Sequence, residues 1–129
     1  MSFFTFEEET PYYELVQILT AIEQGKISGD QLIPKIQEAE EHIQELEKYE
    51  HEMDYVYGQL KSHMHSFEME LKRIKPLVLD LHLLAKGGKN PRQKASEALN
   101  QCGFMRRDIV NVIKYMKQIV DAERELLKE

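Results

Sequence analysis

Counting in alternating steps of four and three from Leu32 reaches Ile36, Ala39, Ile43, Leu46, Glu50, Met53, Tyr57, Leu60, Met64, Phe67, Leu71, Ile74, Val78, Leu81 and Ala85. Fifteen of these sixteen positions are apolar, where a composition of 42% hydrophobic residues would place six or seven. A seven-residue repeat held this long marks a helix that presents one apolar seam to a partner helix. Read as a single element it covers 30–86 and is roughly 80 Å long at ~1.5 Å per residue. Its weak points are Gly58, mildly unfavourable in a helix, and Pro76, which removes a hydrogen bond and crowds the preceding turn. The register carries across both, so the pattern is read as one kinked helix in preference to a reversal.

The flanks follow the same logic. Thr10 and Pro11 suit an N-cap and first helical position, and Tyr12, Leu15, Val16, Leu19 and Ile22 recur at helical spacing. Gly25 can end that helix in the left-handed conformation, giving a first helix over 10–25 behind a lead of residues 1–9. Ser28 or Asp30 can cap the next helix, with Pro34 in its first turn. A third helix over 91–128 carries Ala95, Ala98, Cys102, Met105, Ile109, Val112, Met116, Ile119, Glu123 and Leu126 on one stripe and Leu99, Ile113, Val120 and Leu127 on a second. That wider face implies contact with more than one helix.

Between the second and third helices lies HLLAKGGKNPRQKAS, residues 82–96. Gly87 or Gly88 stops one helix, Asn90 caps the next and Pro91 occupies its first turn. The short turn makes the two helices antiparallel, with facing residue numbers summing to about 177. The fold class is therefore all-α, an elongated antiparallel bundle with coiled-coil-like packing in a single domain over 1–129. Two short helices lying along successive lengths of one long helix would form a layer only two helices thick. Dimerisation would complete a four-helix cross-section; folding of the long helix at Gly58 would do so within one chain.

Charge narrows the functions. The net charge is −6, but residues 82–107 hold six bases and one acid. The acidic body argues against general nucleic-acid coating. Local contact at the tip has only Phe104 nearby for stacking. No apolar run is long enough to span a membrane, and MSFFTFEEETPYY lacks the basic start of a secretory signal. With Cys102 as the single cysteine, no intramolecular disulfide can form, and a cytoplasmic setting is expected.

Catalytic patterns are weak. Gly87-Gly88-Lys89-Asn90 lacks the first Gly and the Ser/Thr of a phosphate loop. His82 precedes Lys86-Gly87 with one residue more than a phosphorelay module uses. The arginines that a mutase of the chorismate type needs on several helices are missing, and no Glu-x-x-His of a carboxylate-bridged metal site occurs. Cys102 falls in the seam without an activating neighbour. No cofactor is expected and the chain is read as non-enzymatic. The alternative is a metal-binding bundle using His63, His65 and Glu68. His42 and His63 fall beside the seam and His51 and His65 on the outer face, so all four are expected as solvated side chains on an acidic surface. Glu50 and Glu123 interrupt the seams, and the hairpin arithmetic puts Glu50 within reach of Arg124 and Lys128.

The leading expectation is a self-associating adaptor, scaffold or regulator that binds another protein or a second copy of itself. Two surfaces are candidates. One is a basic tip of Lys86, Lys89, Arg92 and Lys94, extended by Arg106 and Arg107 if they face outward; Arg92 and Lys94 stand at the positive start of a helix, where cations are mildly unfavourable. The other is the aromatic lead, Phe3, Phe4 and Phe6, which either covers the bundle's end or docks to another protein.

Overall fold

The computed structural model describes residues 11–56 and 61–128, which form helices α1 (Pro11–Glu23), α2 (Leu32–Val56), α3 (Lys61–Lys86) and α4 (Arg92–Lys128), with a 3-10 turn at Gly29–Gln31 before α2. No strand occurs among the described residues. Each helix packs on the next, and α4 packs back on α1. The all-α antiparallel bundle expected from the heptads is thus present as a closed ring of four helices.

The expected helix over 30–86 is two helices. Lys75 pairs with Glu47 at 3.2 Å, and His82 meets Glu40 at 2.6 Å. These contacts run in opposite chain directions, so α2 and α3 are antiparallel neighbours. The reversal lies between Val56 and Lys61, a stretch that includes Gly58 and falls outside the described residues. Pro76 sits inside α3, which continues through it. The heptad repeat did not reveal the reversal because it reports which face of a helix is apolar, not which way the axis runs. Both stripes turn inward: Ile36, Ile43 and Leu46 of α2 and Met64, Phe67, Ile74 and Leu81 of α3 are all buried in one core. The four-helix cross-section that a dimer was expected to complete is supplied by one chain.

The turns follow their residue chemistry closely. At Gly25 (φ 72°) the N–H of Lys26 reaches the carbonyl of Ala21, and that of Gly25 the carbonyl of Ile22. At Gly88 (φ 69°) Lys89 reaches Leu84 and Gly88 reaches Ala85 in the same way. Both are Schellman endings, which require a left-handed residue that glycine adopts without a Cβ penalty. The Arg92 N–H donates to the Asn90 side-chain oxygen at 3.0 Å, so Asn90 is the cap of α4. Ser28 takes the extended cap conformation but makes no side-chain cap bond.

Across the core, Tyr12 Oη donates to the Cys102 carbonyl at 2.7 Å, fixing the start of α1 to the N-terminal third of α4. Glu70 of α3 lies against Asp108 of α4, and Lys94 of α4 lies 3.8 Å from Asp80 of α3. Those pairs match the facing arithmetic of the second hairpin. They also bring Lys61, the first residue of α3, level with α4 near about residue 116. The last dozen or so residues of α4, ~18 Å of helix, run past the start of α3.

Candidate protein-interaction surface

The basic tip separates into two kinds of cation. Arg92 Nε donates to the Glu23 carbonyl at 2.6 Å, so its guanidinium caps the negative end of α1. Lys94 is paired with Glu97 at 2.9 Å as well as facing Asp80. The apparent misfit of these two cations at a helix start is therefore answered inside the chain: neighbouring elements supply the counter-charges. Lys86 and Lys89 stay exposed on the turn. Arg106 and Arg107 are exposed too, but lie about 21 Å along α4 from Arg92 and do not join the tip. Arg106 acts on Tyr12, and Arg107 on Glu70. Phe3, Phe4 and Phe6 lie outside the described residues.

Beside Lys86 and Lys89 the outer face of α3 carries apolar side chains that the seam count passes over. Leu79 is 53% exposed and Leu83 59%. They stand four residues apart, one turn of helix, with exposed Pro76 and Met69 further along the same face. A 540 Å³ groove between α2 and α3 is lined by Ile43, Glu47, Lys72, Lys75, Pro76 and Leu79. A 350 Å³ depression at the tip is lined by Asp80, Leu83, Leu84, Gly87, Lys89 and Lys94. Leu79 belongs to the first and Leu83 to the second, and lysines stand in both linings beside the acids Glu40, Glu47 and Asp80. At the other end of the molecule Leu126 and Leu127 on α4 are 73% and 86% exposed.

The polar seam positions and histidines also moved. Glu50 is buried on α2, 3.6 Å from His51 and close enough to Lys72 to raise its pKa. Its reach to Lys72 places it toward α3, which the reversal before Lys61 brings alongside α2. His42 is not a solvated surface group: it lies between Glu14 at 3.0 Å and Glu45 at 3.2 Å, tying α1 to α2. His51 and His65 are exposed as expected. Of the three alternative metal ligands, Glu68 is paired with Lys72 at 2.8 Å and His65 faces solvent, while the His63 side chain lies outside those described. No group of three His, Cys, Asp or Glu side chains converges among the described residues.

One constellation was missed. Glu70 and Asp108 are both buried, with side chains in hydrogen-bond contact between α3 and α4. Burial, and then the contact with Asp108, push the Glu70 carboxyl up to about 8; Arg73 and Arg107 pull weakly the other way. A carboxyl raised in this way keeps its proton at neutral pH and can donate it to Asp108. The signal was available, since each residue stands one position before a seam residue and their numbers sum to 178. Burial likewise pushes the Cys102 thiol up to about 12, which leaves no thiolate to act as a nucleophile near neutrality.

No helix among the described residues is long and apolar enough to cross a membrane. No protein-family model, curated protein or solved structure matches the chain.

Proposed function

We propose that the protein is a non-enzymatic adaptor or scaffold of the cytoplasm that works by binding protein surfaces, a second copy of itself among them. The observation that carries this reading is the lysine-edged leucine strip of α3. The interior face of α3 already fills the core, yet its outer face keeps Leu79 and Leu83 more than half exposed beside two shallow grooves. Contiguous apolar surface rimmed by polar groups is what a protein-docking site requires, and an amphipathic helix laid along such a strip is a common way to fill it. The buried carboxyl pair and the buried thiol have structural explanations and open onto none of the grooves described, which favours binding over chemistry.

The test is affinity capture from the native cell with wild-type protein and with a Leu79→Glu/Leu83→Glu variant. A discrete protein recovered by the first and lost with the second is the expected result. Identical recoveries from the two baits would remove the strip as the adaptor surface.

A further inference from the structure

The outer face of α3 repeats the arithmetic of its inner one. Met69, Lys72, Pro76, Leu79, Leu83 and Lys86 follow in alternating steps of three and four, and every one of them is exposed. All but the two lysines are apolar. A helix that carries a second heptad stripe on the side away from its own core presents a seam to another helix. A lysine is tolerated in such a stripe because its stem lies along apolar surface while the ammonium reaches the edge, and Lys72 reaches Glu68 at 2.8 Å in this way.

The edges of the stripe say which helix fits. On the α2 side stand Glu68, Lys75 and Lys86. Lys75 meets Glu47 of α2, and Glu68 and Lys86 lie seven residues before and eleven after it, on the same side of the helix. On the α4 side stand Arg73 and Asp80, seven residues apart, with Asp80 turned toward Lys94 of α4. When this face meets its own copy in the antiparallel sense, about a two-fold axis, each edge faces the same edge of the other chain and facing residue numbers share one sum. Arg73 and Asp80 sum to 153, and Glu68 and Lys86 to 154. One register therefore sets cation against anion on both edges, twice over. The same register places Met69 against Leu83 of the copy and brings Pro76 and Leu79 to the axis. Lys75, the cation that comes near its own copy there, is held by Glu47 at 3.2 Å. The parallel arrangement fits less well, since it brings Lys75 nearly level with Arg73 of the copy, cation facing cation.

We propose that the outer face of α3 docks antiparallel on the same face of a second copy, with Met69, Pro76, Leu79 and Leu83 in the seam and the Arg73–Asp80 and Glu68–Lys86 pairs on its edges. This rests on the protein-binding reading and names one occupant for the face. The contact is isologous and closes as a dimer.

Sedimentation velocity on the full chain across a concentration series tests this. Wild-type protein is expected to dimerise as concentration rises, and Leu79→Glu/Leu83→Glu should weaken the dimer by about tenfold or more. Arg73→Glu sets an acid against Asp80 of the copy, and Asp80→Arg sets a cation against Arg73. Each alone should weaken the dimer by about tenfold. The decisive measurement mixes these two variants. In the mixed dimer both of these edge pairs are again opposite in charge, so the mixture should recover association that neither variant has alone. Circular dichroism checks that every variant keeps its helices. If the leucine variant is unfolded, Leu83→Ala replaces it; if a charge variant is unfolded, Glu68→Lys and Lys86→Glu make the same exchange on the other edge. A wild type that stays monomeric throughout overturns the proposal, and so does a mixture that fails to associate. A monomeric wild type that still captures a different protein through Leu79 and Leu83 would leave the adaptor reading standing without the self-contact. A dimer that captures no other protein would leave the self-contact standing alone.

Discussion

The Glu70–Asp108 pair makes stability depend on pH in a direction opposite to that of ordinary salt-bridged carboxylates. Glu70 has a folded pKa of about 8 against an ordinary value of 4.5. Between those values the folded chain holds a proton at the pair that the unfolded chain has released. Stability from this site is fully present below pH 4.5 and is lost as pH rises through 8. The loss is ~1.4 kcal/mol for each pH unit while the difference of one proton persists. Glu70→Gln keeps the shape, carries no charge at any pH and can donate its amide to Asp108. Urea unfolding followed by far-ultraviolet circular dichroism at pH 5, 6, 7 and 8 should show the variant gaining on the wild type at each step. By pH 8.5 the variant should be the more stable protein. Taking the difference between variant and wild type cancels the other carboxylates, which titrate in both. A difference that stays constant from pH 5 to 8.5 would refute the raised Glu70 pKa.

Three further substitutions probe the fold. Tyr12→Phe leaves the buried Cys102 carbonyl without its 2.7 Å donor and should cost about 1–2 kcal/mol in chemical denaturation, with the core volume unchanged. Gly88→Ala forces a side chain into a left-handed residue at φ 69° with open space around it, so the expected cost of about 1 kcal/mol comes from the backbone and not from a clash; a neutral result would mean that the turn relaxes. Phe67→Ala removes the largest fully buried side chain of the core and should cost about 3–5 kcal/mol, read as a fall in the thermal midpoint.

Helical periodicity carried the interior of this fold and left its path undetermined. Every described seam position of α3, from Met64 to Leu81, is buried, as the count from Leu32 required. The same count gave no sign that the axis turns back before Lys61. A straight helix packed on a neighbour and a hairpin packed on itself need the same apolar spacing, and a glycine at the break is no more decisive than a proline that the helix accommodates. What separates the two cases is energetic: a layer two helices thick leaves wide faces such as that of α4 half covered. Folding at the α2–α3 connection buries the Ala95-to-Ile109 part of the α4 seam without a second chain, and that argument outweighs the continuity of register.

Charge was legible only as a sum. The count of cations at residues 82–107 was correct, but their roles depended on elements distant in sequence. Arg92 is spent on the carbonyl of Glu23, 69 residues away, and Lys94 on Asp80 across the hairpin. Glu70 and Asp108 show the reverse: each looks like a surface acid one step off the seam, and they become buried only because α3 and α4 meet at that level. A cation at a helix start is therefore evidence of a counter-charge somewhere, and the sequence distance to it carries no information about whether that counter-charge is in the same molecule. Subtracting Arg92 and Lys94, which the fold itself neutralises, leaves Lys86 and Lys89 at the tip, and it is their position beside the exposed Leu79 and Leu83, not the size of the original cluster, that supports the proposed docking surface.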